Sequence, residues 1–141
     1  MVEQTKTGIV ESVKDSIIAI IKGAGDIGDA VKDLTIGTLK GFGSIGEGAY
    51  SAIGSFASSI IETTAHAGGD VIKATIGMLS GVINSAKDLG VDAEKAVSEA
   101  ATGAVKAGYE ISAEVGDKVK QAATGTIDGV KVVLKEPFSK K

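Results

Sequence analysis

Cysteine, tryptophan and arginine are missing from this chain of 141 residues, and aromatic side chains make up only 4% of it. The absence of cysteine excludes disulfides, thiolate nucleophiles and zinc–thiolate sites. All fifteen basic residues are lysines and the net charge is −3. This argues against a nucleic-acid partner, because nucleic-acid binding needs a basic patch and usually arginine. We find no catalytic constellation, and we expect a protein without enzymatic activity, metal or cofactor.

The chain also lacks a run of about twenty uncharged apolar residues, the length that crosses a bilayer as a helix. The nearest candidate, residues 48–61, has fourteen uncharged residues between Glu47 and Glu62 and is too short. The amino terminus has no basic region followed by an apolar run, so we expect no secretory signal. These features predict a cytoplasmic protein that lies at most at the periphery of a membrane or granule.

An eleven-residue motif recurs along the chain. The copy VKDLTIGTLKG at residues 31–41 has counterparts at residues 13–23, 71–81, 97–107 and 119–129. On a helical wheel, positions one, four, five, eight, nine and eleven share one side, and the charged positions lie opposite. The motif therefore predicts amphipathic helices, arranged as hairpins or a bundle in one all-α domain that spans residues 1–141.

Position six of the motif distinguishes the early copies from the late ones. It lies on the polar side of the wheel, yet it is Ile18, Ile36 and Ile76 in the first three copies and threonine in the last two. Residues 1–67 are therefore the more apolar part, and residues 70–141 are mostly apolar on one side only. A helix with two apolar sides must be covered by neighbours, by another chain or by lipid. The predicted surface-binding face consists of Ile17, Ile18, Ile20, Ile21, Ile36, Leu39, Ile76 and Leu79.

Positions seven and eleven are small in every copy. Small residues four positions apart let helix backbones approach closely, and glycine inside a helix otherwise costs roughly 1 kcal/mol relative to alanine. The alternative interpretation is that these glycines are turns that end short helices. The predicted helix-packing ridge consists of Gly37, Gly41, Gly77, Gly81, Gly125 and Gly129.

Breaks between helices are marked by glycine and by capping residues. Gly68 and Gly69 form the clearest break, Asp70 is a good N-cap for the next helix, and Gly90 closes that helix. His66, near a helix end, is expected to be a surface or cap residue. Besides the copy at 31–41, the predicted helices cover residues 5–22, 49–67, 71–89, 92–115 and 117–135.

Residues 23–28, GAGDIG, match the G-x-G-x-x-G pattern of dinucleotide-binding turns. The same pattern returns at residues 41–46, and no strand ending in an acidic residue follows at the expected distance. Nucleotide binding through Gly23–Gly28 is therefore a remote alternative.

The eleven-residue units of residues 93–135, rich in alanine, threonine, glycine, lysine and glutamate, resemble the repeats of group 3 late-embryogenesis-abundant proteins. They are also similar to the helices of exchangeable apolipoproteins and synucleins. The resemblance implies amphipathic helices that lie on membranes, lipid particles or dehydrating surfaces without catalysis. Residues 7–83 are more apolar than a desiccation protein requires. We therefore predict a coat on a membrane, lipid or granule surface, with self-assembly into a homo-oligomer as the alternative.

Overall fold

The computed structural model describes residues 15–22, 27–40 and 47–134. Most of these residues are helical, which confirms the predicted all-α class, and a short β-hairpin follows the last helix. The elements are α1 (residues 15–22), α2 (Ile27–Lys40), α3 (Glu47–His66), α4 (Val71–Leu89), α5 (Ala93–Ile111), α6 (Ala113–Ala123), β1 (Gly125–Ile127) and β2 (Val130–Val132).

Helix α4 begins and ends where its capping residues predict. The Asp70 carboxylate accepts hydrogen bonds from the backbone N–H groups of Ile72 and Lys73, at 3.0 and 3.1 Å. It thereby satisfies two of the donors that a helix start leaves unpaired. At the other end, Gly90 has a φ of 75°, a left-handed conformation that glycine adopts without a Cβ penalty.

Helix α5 ends earlier than predicted, and the chain turns at once into α6. The predicted helix from 92 to 115 is wrong, because Ser112 is extended and its hydroxyl accepts a hydrogen bond from the Val115 N–H at 3.1 Å. Ser112 is thus the N-cap of α6, so α6 starts before the predicted residue, Asp117. The turn lets α5 and α6 pack together with Gly108 against Gly116.

The predicted last helix, which was to reach residue 135, is also wrong: α6 ends at Ala123 and β1 and β2 form an antiparallel pair. Ile127 pairs with Val130, so the turn between the strands consists of Asp128 and Gly129 alone. Both turn residues have positive φ, 50° and 81°. That is the requirement of a type I′ turn, which Asp-Gly meets at little cost. The local turn preference therefore overrides the eleven-residue period here.

Helix α4 is the centre of the packing and contacts α2, α3, α5 and α6. In two of the packed pairs, α2 with α4 and α3 with α5, a glycine of one helix lies against the backbone of the other. Gly77 lies against Gly28 and Gly81 against Thr35, while the Ser58 hydroxyl of α3 donates a 3.0 Å hydrogen bond to the Gly103 carbonyl of α5. The largest side chains of the core include Ile53, Ile60, Ile61, Met78, Leu79 and Ile83.

Candidate surface-binding site

The structure divides the predicted surface-binding face into a buried part and an exposed part. Ile17, Leu39 and Leu79 have no solvent exposure and belong to the core. Their assignment to a surface face is wrong for the folded chain, because α1, α2 and α4 turn these side chains toward neighbouring helices. Ile20 and Ile21 are half-buried and pack against the same core.

The isoleucines at position six are more exposed to solvent than the three buried residues. Ile18 is 37% exposed and Ile76 is 45% exposed, whereas Ile36 is half-buried. Helix α4 is enclosed by neighbours on most of its circumference, so Ile76 marks the narrow side that they leave open. Leaving a large apolar side chain in water forgoes the favourable free energy of its burial. Ile18 and Ile76 are therefore the side chains of the predicted face that can contact a surface without unfolding.

Charged residues accompany both exposed isoleucines. Lys73 precedes Ile76 by three positions and Lys22 follows Ile18 by four, so each lysine lies one helical turn from its isoleucine. Asp15 lies one turn before Ile18 and is exposed as well. The surroundings of the two isoleucines thus combine an apolar side chain with an exposed ammonium group and no strong excess of either charge.

The hairpin borders the exposed side of α4 one turn beyond Ile76. The Asp128 carboxylate accepts hydrogen bonds from the Ser80 hydroxyl at 2.5 Å and the Asn84 amide at 3.4 Å. Asn84 also donates to the Ser80 carbonyl at 2.7 Å. This cluster was not predicted from the sequence, although Asp-Gly between two apolar runs, in TIDGVKV, is the strongest short-range hairpin signal.

The predicted ridge glycines lie in three different environments. Gly77 and Gly81 contact α2, where a Cβ on Gly77 would collide with the Gly28 carbonyl oxygen and one on Gly81 would lie 2.8 Å from the Thr35 Cβ. Gly37 is exposed, and no described atom outside its own helix lies within 4 Å of a Cβ placed there.

The other three predicted ridge residues do not support the ridge. Gly125 and Gly129 belong to the hairpin and have φ of 107° and 81°, so their assignment to a helix ridge is wrong. Gly41 lies outside the described residues. Another close approach was not predicted from the sequence: a Cβ on Gly103 of α5 would collide with the Gly54 carbonyl oxygen of α3.

The glycine pattern at residues 23–28, on which the dinucleotide-binding alternative depends, follows a helix and not a strand. Residues 15–22 are helical, whereas a dinucleotide-binding turn follows a β-strand. Residues 23–26 lie outside the described part of the chain, and Gly28, the last glycine of the pattern, contacts Gly77. The helical segment before the pattern therefore does not fit a Rossmann unit.

Within the described ranges no cluster of three or more metal-ligating side chains occurs, and none of the described helices combines the length and apolarity needed to span a bilayer. No family model matches the sequence, and neither a curated protein nor a solved structure is significantly similar to it. The exposed isoleucines and their surroundings are therefore the basis for a functional proposal.

Proposed function

We propose that this chain is a non-enzymatic helical protein that coats a lipid or membrane surface, and that Ile18 and Ile76, the two exposed isoleucines at position six, contact the lipid. The observation that carries the proposal is the 45% exposure of Ile76 on the most enclosed helix of the fold. Transfer of half an isoleucine side chain from water into an apolar layer gains about 1 kcal/mol. Lipid at this point supplies the burial that the neighbouring helices do not.

The exposed lysines suit such an interface. A lysine beside an inserted apolar side chain keeps its methylene groups in the apolar layer while its ammonium group reaches the lipid phosphates. Lys73 and Lys22 stand in this relation to Ile76 and Ile18. Because Asp15 offsets part of the positive charge, apolar contact supplies most of the attraction, and anionic lipid strengthens binding only moderately.

Self-assembly through close helix packing is the second candidate, and one observation favours it. Gly77, Gly81 and Gly103 already make their close contacts inside the chain, but no described atom outside its own helix lies within 4 Å of a Cβ placed at Gly37. A second copy that packs on Gly37 would use this remaining close-approach position of α2. This candidate predicts a concentration-dependent oligomer without lipid and loss of that oligomer in Gly37→Leu.

Vesicle flotation tests the lipid proposal with a matched pair of variants. Ile76→Ser removes the apolar side chain at position six, and Val133→Ser removes another that is equally exposed, at 45%. We expect wild-type protein to float with phosphatidylcholine vesicles containing phosphatidylglycerol, and Ile76→Ser to lower the partition coefficient about fivefold. Val133→Ser should bind nearly as well as the wild type.

Other results of these experiments would contradict the lipid proposal. Equal losses of vesicle binding in Ile76→Ser and Val133→Ser would show that any exposed apolar side chain promotes binding. That result would reject Ile76 as a specific lipid-contacting site. Wild-type protein that stays at the bottom of the gradient would reject lipid binding itself. Sedimentation of the same samples without vesicles separates the second candidate, because a particle of several chains would favour self-assembly.

A further inference from the structure

The hairpin at residues 125–132 is laid across two helices of the bundle. Strand β1 contacts α4 and strand β2 contacts α5. Val132 is 7% exposed and belongs to the core, while Ile127, Val130 and Leu134 are half-buried against it. The hairpin is therefore an apolar cover over the adjoining sides of α4 and α5.

Two polar attachments fix this cover to the helices. Asp128 at the turn accepts hydrogen bonds from Ser80 and Asn84 of α4. Beyond β2, the Val133 N–H donates a 3.0 Å hydrogen bond to the hydroxyl of Ser98 on α5. A two-stranded hairpin is only marginally stable by itself, and each strand here has three residues. Its closed position thus depends on these attachments and on the burial of Val132.

The attachment on α4 interrupts a line of apolar residues. Ile76, Ser80 and Ile83 follow one another at spacings of four and three, so they lie on the same side of the helix. Ile76 is exposed, whereas Ile83 is only 1% exposed. Ser80, between them, is the residue that binds Asp128. The exposed part of this line therefore ends where the hairpin begins.

We propose that residues 125–134 form a strap that opens to lengthen the lipid-contacting side of α4. Release of Asp128 and Val133 uncovers the sides of α4 and α5 on which Ser80 and Ser98 lie. On α4 the uncovered side begins one helical turn beyond Ile76. This inference rests on the proposed lipid function and adds its regulation: the closed strap limits binding, and the open strap extends it.

A reversible disulfide between the strap and α4 tests this proposal. The natural chain has no cysteine, so Ser80→Cys together with Asp128→Cys introduces one possible disulfide between side chains that contact each other. The oxidised form holds the strap closed, and the reduced form of the same protein is its matched control. In flotation with phosphatidylcholine–phosphatidylglycerol vesicles, we expect the reduced form to bind about threefold more strongly than the oxidised form. Ser80→Ala, which removes one attachment and keeps the turn, should also bind more strongly than wild type.

Hydrogen exchange without lipid gives a readout that does not depend on the lipid proposal. Peptides from residues 125–134 should exchange faster than those of α4 and α5 in the reduced form and slow down on oxidation, because an opening strap exposes its own amides first. Circular dichroism must show equal helix content in the two forms.

Two results would overturn the strap. They are exchange of the hairpin amides at the rate of the amides in α4 and α5, and equal vesicle binding by the oxidised and reduced forms. The last result would leave the Ile76→Ser comparison intact, so the proposed function could still stand. If the wild type binds no vesicles, the lipid function fails, and hydrogen exchange alone decides whether the strap opens.

Discussion

Gly77 of α4 lies directly against the backbone of Gly28 of α2, and an added Cβ at Gly77 would collide with the Gly28 carbonyl oxygen. The two helices can pack at this distance only because Gly77 has no side chain. We expect Gly77→Ala to lower the free energy of unfolding by about 1–3 kcal/mol, the usual cost of overpacking. This loss outweighs the gain of roughly 1 kcal/mol in helix propensity from replacing glycine by alanine.

Gly37→Ala is the matched control for this prediction. Gly37 is also the glycine of an Ile-Gly pair inside a helix, but it is exposed and no described atom outside its helix would touch an added Cβ. Alanine there should raise the free energy of unfolding by about 0.5–1 kcal/mol. Urea denaturation followed by circular dichroism measures both changes. A loss of stability in Gly37→Ala, or a gain in Gly77→Ala, would contradict the assigned packing.

Gly37 and Gly77 also show which structural feature could not be predicted from the sequence. Ile36-Gly37 and Ile76-Gly77 occupy the same positions of the repeat, yet one glycine contacts another helix and the other does not. A helical wheel tells which residues share a side of a helix. It does not tell which side a neighbouring helix will cover, because that depends on contacts between residues far apart in the chain.

Capping and turn residues indicated where helices end more reliably than the eleven-residue period did. The capping residues Asp70 and Gly90 fixed both ends of α4, because the hydrogen bonds and backbone angles of a cap involve only nearby residues. The same kind of local signal, Asp128-Gly129, ended the helical pattern where the eleven-residue period predicted that it would continue. The period does separate two groups of residues that the predicted surface-binding face combined. Ile17, Leu39 and Leu79, at positions five and nine of the motif, lie on the apolar side of the wheel and are buried. Ile18 and Ile76, at position six on the polar side, are exposed.

Tyr109 and Asp117 connect α5 to α6 and make stability sensitive to alkaline pH. The Tyr109 hydroxyl donates a 2.7 Å hydrogen bond to the Asp117 carboxylate, and an added Cβ at Gly116 would collide with the Tyr109 ring. The hydrogen bond to Asp117, helped by desolvation and by the negative charge of Asp117, raises the pKa of Tyr109 above its ordinary value of 10.0. A raised pKa means that this interaction stabilises the fold fully below the pKa of the unfolded chain. The stabilisation is lost as the pH rises through the pKa of the folded state.

Ultraviolet titration of the tyrosinate form checks this prediction. The chain has two tyrosines, so a Tyr50→Phe background leaves the signal of Tyr109 alone. We expect its titration midpoint to lie above that of free tyrosine, and Asp117→Ala to move the midpoint down toward the ordinary pKa. An unchanged midpoint in Asp117→Ala would show that Asp117 does not hold the phenolic proton.

Two buried threonines should respond in opposite directions to the same substitution. Thr64 and Thr35 are both fully buried, but the Thr64 hydroxyl has no hydrogen-bond partner among the described atoms, whereas the Thr35 hydroxyl donates to the Val31 carbonyl at 2.8 Å. Valine replaces the hydroxyl by a methyl group of similar size. Thr64→Val should therefore raise the free energy of unfolding by about 1 kcal/mol, because it removes an unpaired buried polar group. Thr35→Val should lower it by about 0.5–1 kcal/mol through the lost hydrogen bond. Urea denaturation of the two variants side by side decides the matter. If Thr64→Val destabilises as much as Thr35→Val, the Thr64 hydroxyl has a partner in solution, and buried water is the first candidate because it commonly pairs such groups.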